Sequence, residues 1–184
     1  MVNISNLPSA TPETVWAILQ EVAQSQKETD RITQENAKTI KELQKTVGGI
    51  TNNQGAFAEE YFFNSFESGK TNFFGENFDE IAKHLKNRWQ GVEDEYDIVL
   101  YNHASVAIIE VKYKAHTNDI PTVLKKAETF RLLFPQYKDF KIYLGLASMS
   151  FYPELEQECI EQGIAVIKQV GDKVVINDTN LKAF

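Results

Sequence analysis

The sequence predicts an α/β domain preceded by one long helix, and three stretches carry that expectation. Residues 93–114 hold two runs crowded with β-branched and aromatic side chains, separated by turn-forming residues from Asn102 to Ser105, which is the pattern of a hairpin. On both sides of it apolar residues recur at helical spacing, through Phe57, Phe62, Phe63 and Phe66 before and Val123, Ala127, Phe130 and Phe134 after. Residues 12–47, finally, contain no Gly and no Pro beyond Pro12, so nothing interrupts a helix there.

Taken in order, residues 1–11 read as a loose arm ending in Thr11, an N-cap before Pro12 at the first helical position. The helix that follows carries a thin apolar stripe of Val15, Ile18, Leu19, Val22, Ile32, Ile40, Leu43 and Val47, with Ser25, Thr29, Thr33 and Asn36 in its middle. Such a helix buries little by itself, so self-association as a coiled coil is expected, with a helix lying on its own domain as the alternative. Gly48 and Gly49 are expected to end it and residues 52–55 to form a hinge, which divides the chain into a helical segment, 1–50, and a domain, 51–184.

A second helix is expected over residues 55–67, then a loop over 68–75 with Phe73 and Phe74 against the core. Residues 78–89 have helical spacing at Phe78, Ile81, Ala82, Leu85 and Trp89, yet 80–89 is assigned to a strand for a reason given below. After the hairpin, Asn118 or Asp119 caps a helix reaching Phe134, with Lys125, Lys126 and Arg131 placed on its outer side. Pro135 stops it. Residues 140–148 read as a strand, 153–163 as a helix, and 164–168 and 173–176 as two short strands around the Gly171-Asp172 turn.

The 184 residues suffice for one globular domain and an extension. Cys159 is the only cysteine, so no internal disulfide forms, and a reducing compartment is expected. No basic segment leads into an apolar one at the N-terminus and no run approaches the roughly 20 apolar residues of a membrane span, so the expectation is a soluble, cytoplasmic protein. A net charge of -7 argues against a general polyanion binder. Residues 111–151, however, carry seven positive side chains against three negative ones.

Within the hairpin, strand alternation puts Glu110 and Lys112 on one face and Ile109, Val111 and Tyr113 on the other. Charges in so apolar a strand cost free energy unless they are paired or hold a metal. Asp97 lies on the preceding strand, and Glu59 shares a helix face with Phe62, Phe63 and Phe66, where a carboxylate needs a partner; Glu60 competes with it for that place.

An Asp, twelve residues, then Glu-x-Lys at the end of a buried strand resembles the PD-(D/E)XK nuclease superfamily, the restriction-endonuclease-like or Holliday-junction-resolvase-like fold. The long polar helix ahead of the motif is similar to a bacterial group with an N-terminal coiled coil. The resemblance implies a restriction-endonuclease-like core, a mixed central sheet flanked by helices in the order helix, three strands, helix, strand, and it is what assigns 80–89 to a strand. It further implies that Asp97 and Glu110, with Glu59 from the first core helix, ligate Mg²⁺ or Mn²⁺. Val111 would add its backbone carbonyl, and Lys112 would act as catalytic base or orient the attacking water. The implied activity is hydrolysis of phosphodiester bonds, most readily in DNA, by a homo-oligomer joined through its N-terminal helix.

Read without the resemblance, Glu110 and Lys112 are an ordinary ion pair on the solvated face of an antiparallel sheet, and the domain is a catalytically inactive scaffold whose helix binds partners. His84, His116 and Arg88 read as surface groups, and Cys159 as a small buried filler.

Overall fold

The computed structural model describes residues 11–69 and 72–184; the expected arm at residues 1–10 and the side chain of Phe73 lie outside that description. Helix α1 (Pro12–Gly69) starts where the sequence places it, with Thr11 Oγ1 accepting the Thr14 N–H at 3.4 Å. It does not stop at Gly48. The expected break over 48–55 is absent and the helix runs on for 58 residues. Glycine in a helix interior costs only about 1 kcal/mol relative to alanine, and Gly48 and Gly49 have open space around them, so neither forces a turn. Downstream, Ala58, Phe62 and Phe66 are buried and anchor the last turns. The expected loop over 68–75 is shortened accordingly, and β1 (Asn72–Phe73) and β2 (Glu76–Asn77) form a two-residue antiparallel pair within it.

The chain divides into two compact units, Met1–Ile50 and Thr51–Phe184. The described part of the first is helical throughout beyond Thr11. The second is α/β, with a six-stranded mixed sheet flanked by helices. Its strands are β3 (Glu80–Trp89), β4 (Val92–Tyr101), β5 (Ser105–Lys112), β6 (Lys141–Ser148), β7 (Ala165–Val170) and β8 (Lys173–Asn177), adjacent in that order. Neighbours run antiparallel except for β5–β6 and β6–β7. The parallel steps are bridged by α2 (Ile120–Leu133) and α3 (Pro153–Gln162).

One face of the sheet packs on α2 and α3 through Val123, Phe130, Leu155 and Cys159, the other on the end of α1 through Ala58, Phe62 and Phe66. Burial on both faces accounts for the unbroken apolar run in β5. Residues 80–89 form a strand despite their helical spacing, because β3 is an edge strand with most of its residues exposed and only Ile81, Ala82, Leu85 and Asn87 half covered. Among the described residues no helix is long and apolar enough to cross a membrane.

The β3–β4 ladder has one irregularity. Lys83 pairs with Ile98 and Leu85 with Tyr96, but His84 and Asp97 between them do not pair, and His84 has φ 52°. Tyr96 packs on the α2 face and Ile98 on the α1 face, although residues two apart in a regular strand share a face. Strand β4 therefore turns over at Asp97.

Gly163 closes α3 at φ +83°, and a Cβ there would stand 2.5 Å from Lys182 Cγ. Gly163→Ala is expected to lower the unfolding free energy by about 1–2 kcal/mol, measured by urea denaturation of the full chain.

A candidate active site at the ends of two strands

The turnover of β4 sets the geometry. Pairing between β4 and β5 ends at Ile98 with Ile109, so the Val111 peptide has no ladder partner on that side. Its N–H donates instead to Asp97 Oδ2 at 2.8 Å. In an extended strand the N–H and C=O of one residue point to the same edge, so the Val111 carbonyl faces the Asp97 side as well. Asp97 and Val111, expected from the sequence to be neighbours, are joined directly.

Glu110 and Lys112 occupy the α2 face, as alternation requires, with Lys112 Nζ 2.6 Å from Glu110 Oε1. The Glu110 side chain is 8% exposed. Its Oε2 accepts no hydrogen bond within the described structure, and the nearest cation is Lys126 Nζ at 3.4 Å. Lys126 is the residue the sequence reading misplaced. Expected on the outer side of α2, it is 9% exposed and points inward. Its spacing shows why: it lies three residues after Val123 and four before Phe130, both buried on the core face.

From Lys126 a polar network continues across the floor of the site. The ammonium donates to Asp94 Oδ1 at 2.9 Å and to the Glu95 carbonyl, and it stands 5.2 Å from the centroid of the Tyr96 ring. Thr129 donates to Asp94 Oδ2 at 2.6 Å and accepts from the Tyr96 hydroxyl at 3.1 Å. Asp94, Lys126 and Thr129 form one wall of a cleft of about 570 Å³, completed by residues including Thr122 and Lys125. Asp94 and Thr129 were not singled out in the sequence; the only signal was that Asp94 shares a strand face with Tyr96. Of the three cations expected outside α2, Lys125 alone is exposed, since Arg131 donates to the carbonyls of Lys138, Phe140 and Phe184.

Glu59 and Glu60 have different surroundings. Glu60 is exposed and paired with Lys83 at 2.8 Å, whereas Glu59 Oε2 lies 3.6 Å from His84 Nε2 and its charge is felt at Asp97. His84, expected as a plain surface group, also reaches Glu95 at 3.7 Å. Glu59 does not close a ligand triad. Among the described residues no three His, Cys, Asp or Glu side chains gather closely enough to hold a metal ion.

The charges bear on protonation. Burial, followed by the Glu110 carboxylate, pushes Asp97 up to about 6, against the opposing pull of the Val111 N–H and Lys112. Burial disfavours the charge on Lys112, but the hydrogen bond and attraction of Glu110 outweigh it and raise its pKa. Lys126 is raised in the same way, by Glu110 and Asp94 against burial. Two ammoniums that hold their protons so firmly are donors. The resemblance offers Lys112 as a base or as an orienting and stabilising cation, and a raised pKa favours its protonated form. Cys159 is buried with its thiol pushed up to about 12, chiefly by burial, and is no nucleophile.

Two predictions follow from this charge arrangement. With an unfolded value of 3.8 and a folded value near 6, Asp97 makes the folded state bind more protons between those limits, so stability falls as pH rises through that window. In EDTA, Asp97→Asn, which keeps an acceptor for the Val111 N–H, should remove the fall and gain roughly 1–3 kcal/mol at pH 7 but nothing below pH 4, by urea midpoints. Lys126→Met strands two carboxylates and should cost about 3–5 kcal/mol, whereas Lys112→Met, at a site 36% exposed, should cost about 1 kcal/mol.

No protein-family model and no curated protein matches this sequence. Among solved structures, Can2 from Sulfobacillus thermosulfidooxidans in complex with cyclic tetra-adenylate (cA4) aligns with 68% of this chain at 18% identity and a TM-score of 0.44. The chain spans 32% of that protein's length, and a similarity at this level carries no argument about fold or activity.

Proposed function

We propose that this protein is a metal-dependent nuclease that hydrolyses phosphodiester bonds, in DNA in the first instance, and that it works in the cytoplasm as a homo-oligomer joined through its N-terminal helix. The observation that carries this reading is the convergence of Asp97, Glu110 and the Val111 peptide beside Lys112 at the splayed end of β4 and β5. Two carboxylates close enough to raise the pKa of one of them, with Glu110 Oε2 buried and without a hydrogen bond, form a donor set of hard oxygens that a divalent cation would satisfy.

Asp97 and Glu110 would hold Mg²⁺ or Mn²⁺ with the Val111 carbonyl, and Glu59 would add negative charge close to Asp97. When bound, the ion supplies positive charge opposite the scissile phosphate and a nucleophile at neutral pH. Lys112, kept protonated by Glu110, places a donor where negative charge develops on the phosphate oxygens. Lys126 would place a second ammonium on the other side of the Glu110 carboxylate, 3.4 Å from Oε2. Lys125, on the rim of the adjoining cleft, offers a contact for a neighbouring phosphate.

A second reading rests on the same residues. Glu110 already has two ammonium neighbours, which is also what a catalytically inactive scaffold would use to keep a buried carboxylate charged.

The test is hydrolysis of single-stranded, duplex and branched DNA, and of RNA, in Mg²⁺ or Mn²⁺. Cleavage should vanish in EDTA and fall at least 100-fold in Lys112→Ala with the fold retained by circular dichroism. Calorimetry should show Mn²⁺ binding lost in Asp97→Asn. Intact nucleic acid of every kind together with no Mn²⁺ heat would favour the scaffold.

A further inference from the structure

The first unit offers a surface that the proposed chemistry does not use. Val15, Ile18, Leu19, Val22, Ile40 and Leu43 of α1 are each 45–58% exposed, a stripe of large apolar groups on a helix whose other faces are mostly polar, Trp16 excepted. We infer that this stripe pairs with a second copy of the chain, parallel and in register, as a two-stranded coil. The inference deepens the self-association proposed above by giving its partner orientation and stoichiometry, and it is independent of whether the compact unit cuts nucleic acid.

Counting heptads from Val15 as a puts Val22, Thr29, Asn36, Leu43 and Ile50 on a, and Ile18, Ser25, Ile32 and Thr39 on d. The weak layers are better suited to burial than their names imply. Thr29 Oγ1 donates to the Ser25 carbonyl at 2.9 Å and Thr39 Oγ1 to the Glu35 carbonyl at 3.1 Å, so each hydroxyl is satisfied within its own helix. That leaves Asn36 as the a-position amide, and in a parallel, in-register pair it meets the same amide of the second copy.

Orientation follows from charge. Every g position from residue 21 to 42 is a glutamate, Glu21, Glu28, Glu35 and Glu42, while the e positions Leu19, Gln26, Thr33 and Ile40 carry no charge. An antiparallel pair sets g against g in any register and would bring these glutamates onto one another. A parallel pair sets g against e and opposes each one to an uncharged side chain. Arg31 softens but does not cancel the difference, since its one guanidinium is shared between Glu28 and Glu35 of its own helix, at 2.6 Å each.

The full chain is tested in EDTA, which keeps the outcome separate from nuclease activity. Light scattering should give twice the 21.0 kDa chain mass. In a glutathione redox buffer Ile18→Cys and Leu43→Cys should each form a covalent dimer with themselves, the buried Cys159 taking no part. Spin labels on Glu13→Cys, outside the seam, should lie within roughly 30 Å of each other, against about 50 Å for antiparallel helices centred near residue 30. A monomeric mass, a cross-link that appears only when Ile18→Cys and Leu43→Cys are mixed, or the longer label distance would each overturn the inference.

Discussion

A single buried carboxylate governs the candidate site. Glu110 stands in a strand covered on both faces, and a charge placed there must be matched or it will be neutralised. Lys112 meets one oxygen and Lys126 approaches the other, and the rest of the network exists around those two contacts. Asp94 and the Glu95 carbonyl hold Lys126, Thr129 holds Asp94, and the Tyr96 hydroxyl holds Thr129. Each polar group answers for the next, which is the condition for such a chain to be tolerated in a core. Burial of ion pairs seldom stabilises a fold more than apolar residues of the same volume would. Stability therefore gives no account of why this face of β5 is charged.

The second constraint is the turnover of β4. A regular strand would keep Tyr96 and Ile98 on one face, continue the ladder past Ile109, and direct Asp97 away from β5. The missing pair at His84 and Asp97, with His84 in the left-handed region, ends that regularity at one residue. The result is that a side-chain carboxylate takes the place of a main-chain acceptor for Val111. Irregularity in the ladder is thus what brings an acidic group and a free peptide edge together, and it sits at the carboxyl end of β5, where open α/β sheets commonly present their ligand sites.

How much of this could be read in advance depends on the physics of each element. Helices α2 and α3 and strands β4 to β8 were legible because their apolar periodicity and their Pro and Gly boundaries agree. The hairpin motif placed Asp97, Glu110 and Lys112 correctly on their strands, since alternation in a strand is rigid. The uninterrupted α1 was not legible: Gly48, Gly49 and Gly55 are weak breakers, and nothing local shows that the helix is held beyond them by Phe62 and Phe66. Lys126 was misread because its charge was given more weight than its place on the apolar face, although the spacing from Val123 to Phe130 already put it inside. The resemblance put Asp97 beside Val111, but the hydrogen bond from the Val111 N–H to the Asp97 carboxylate had no sequence signal, because it depends on where a ladder stops.

The two lysines differ in a way that separates structural from chemical work. Lys126 is enclosed on all sides, with Asp94, the Glu95 carbonyl, Glu110 and the Tyr96 ring around its ammonium, so moving it would break several contacts at once. Among the described residues Lys112 has Glu110 as its one ion-pair partner and is about a third exposed, so it can turn from that carboxylate toward solvent at little cost. That difference between the two ammoniums arises because Lys126 lies on the inner face of α2 while Lys112 stands at the end of β5.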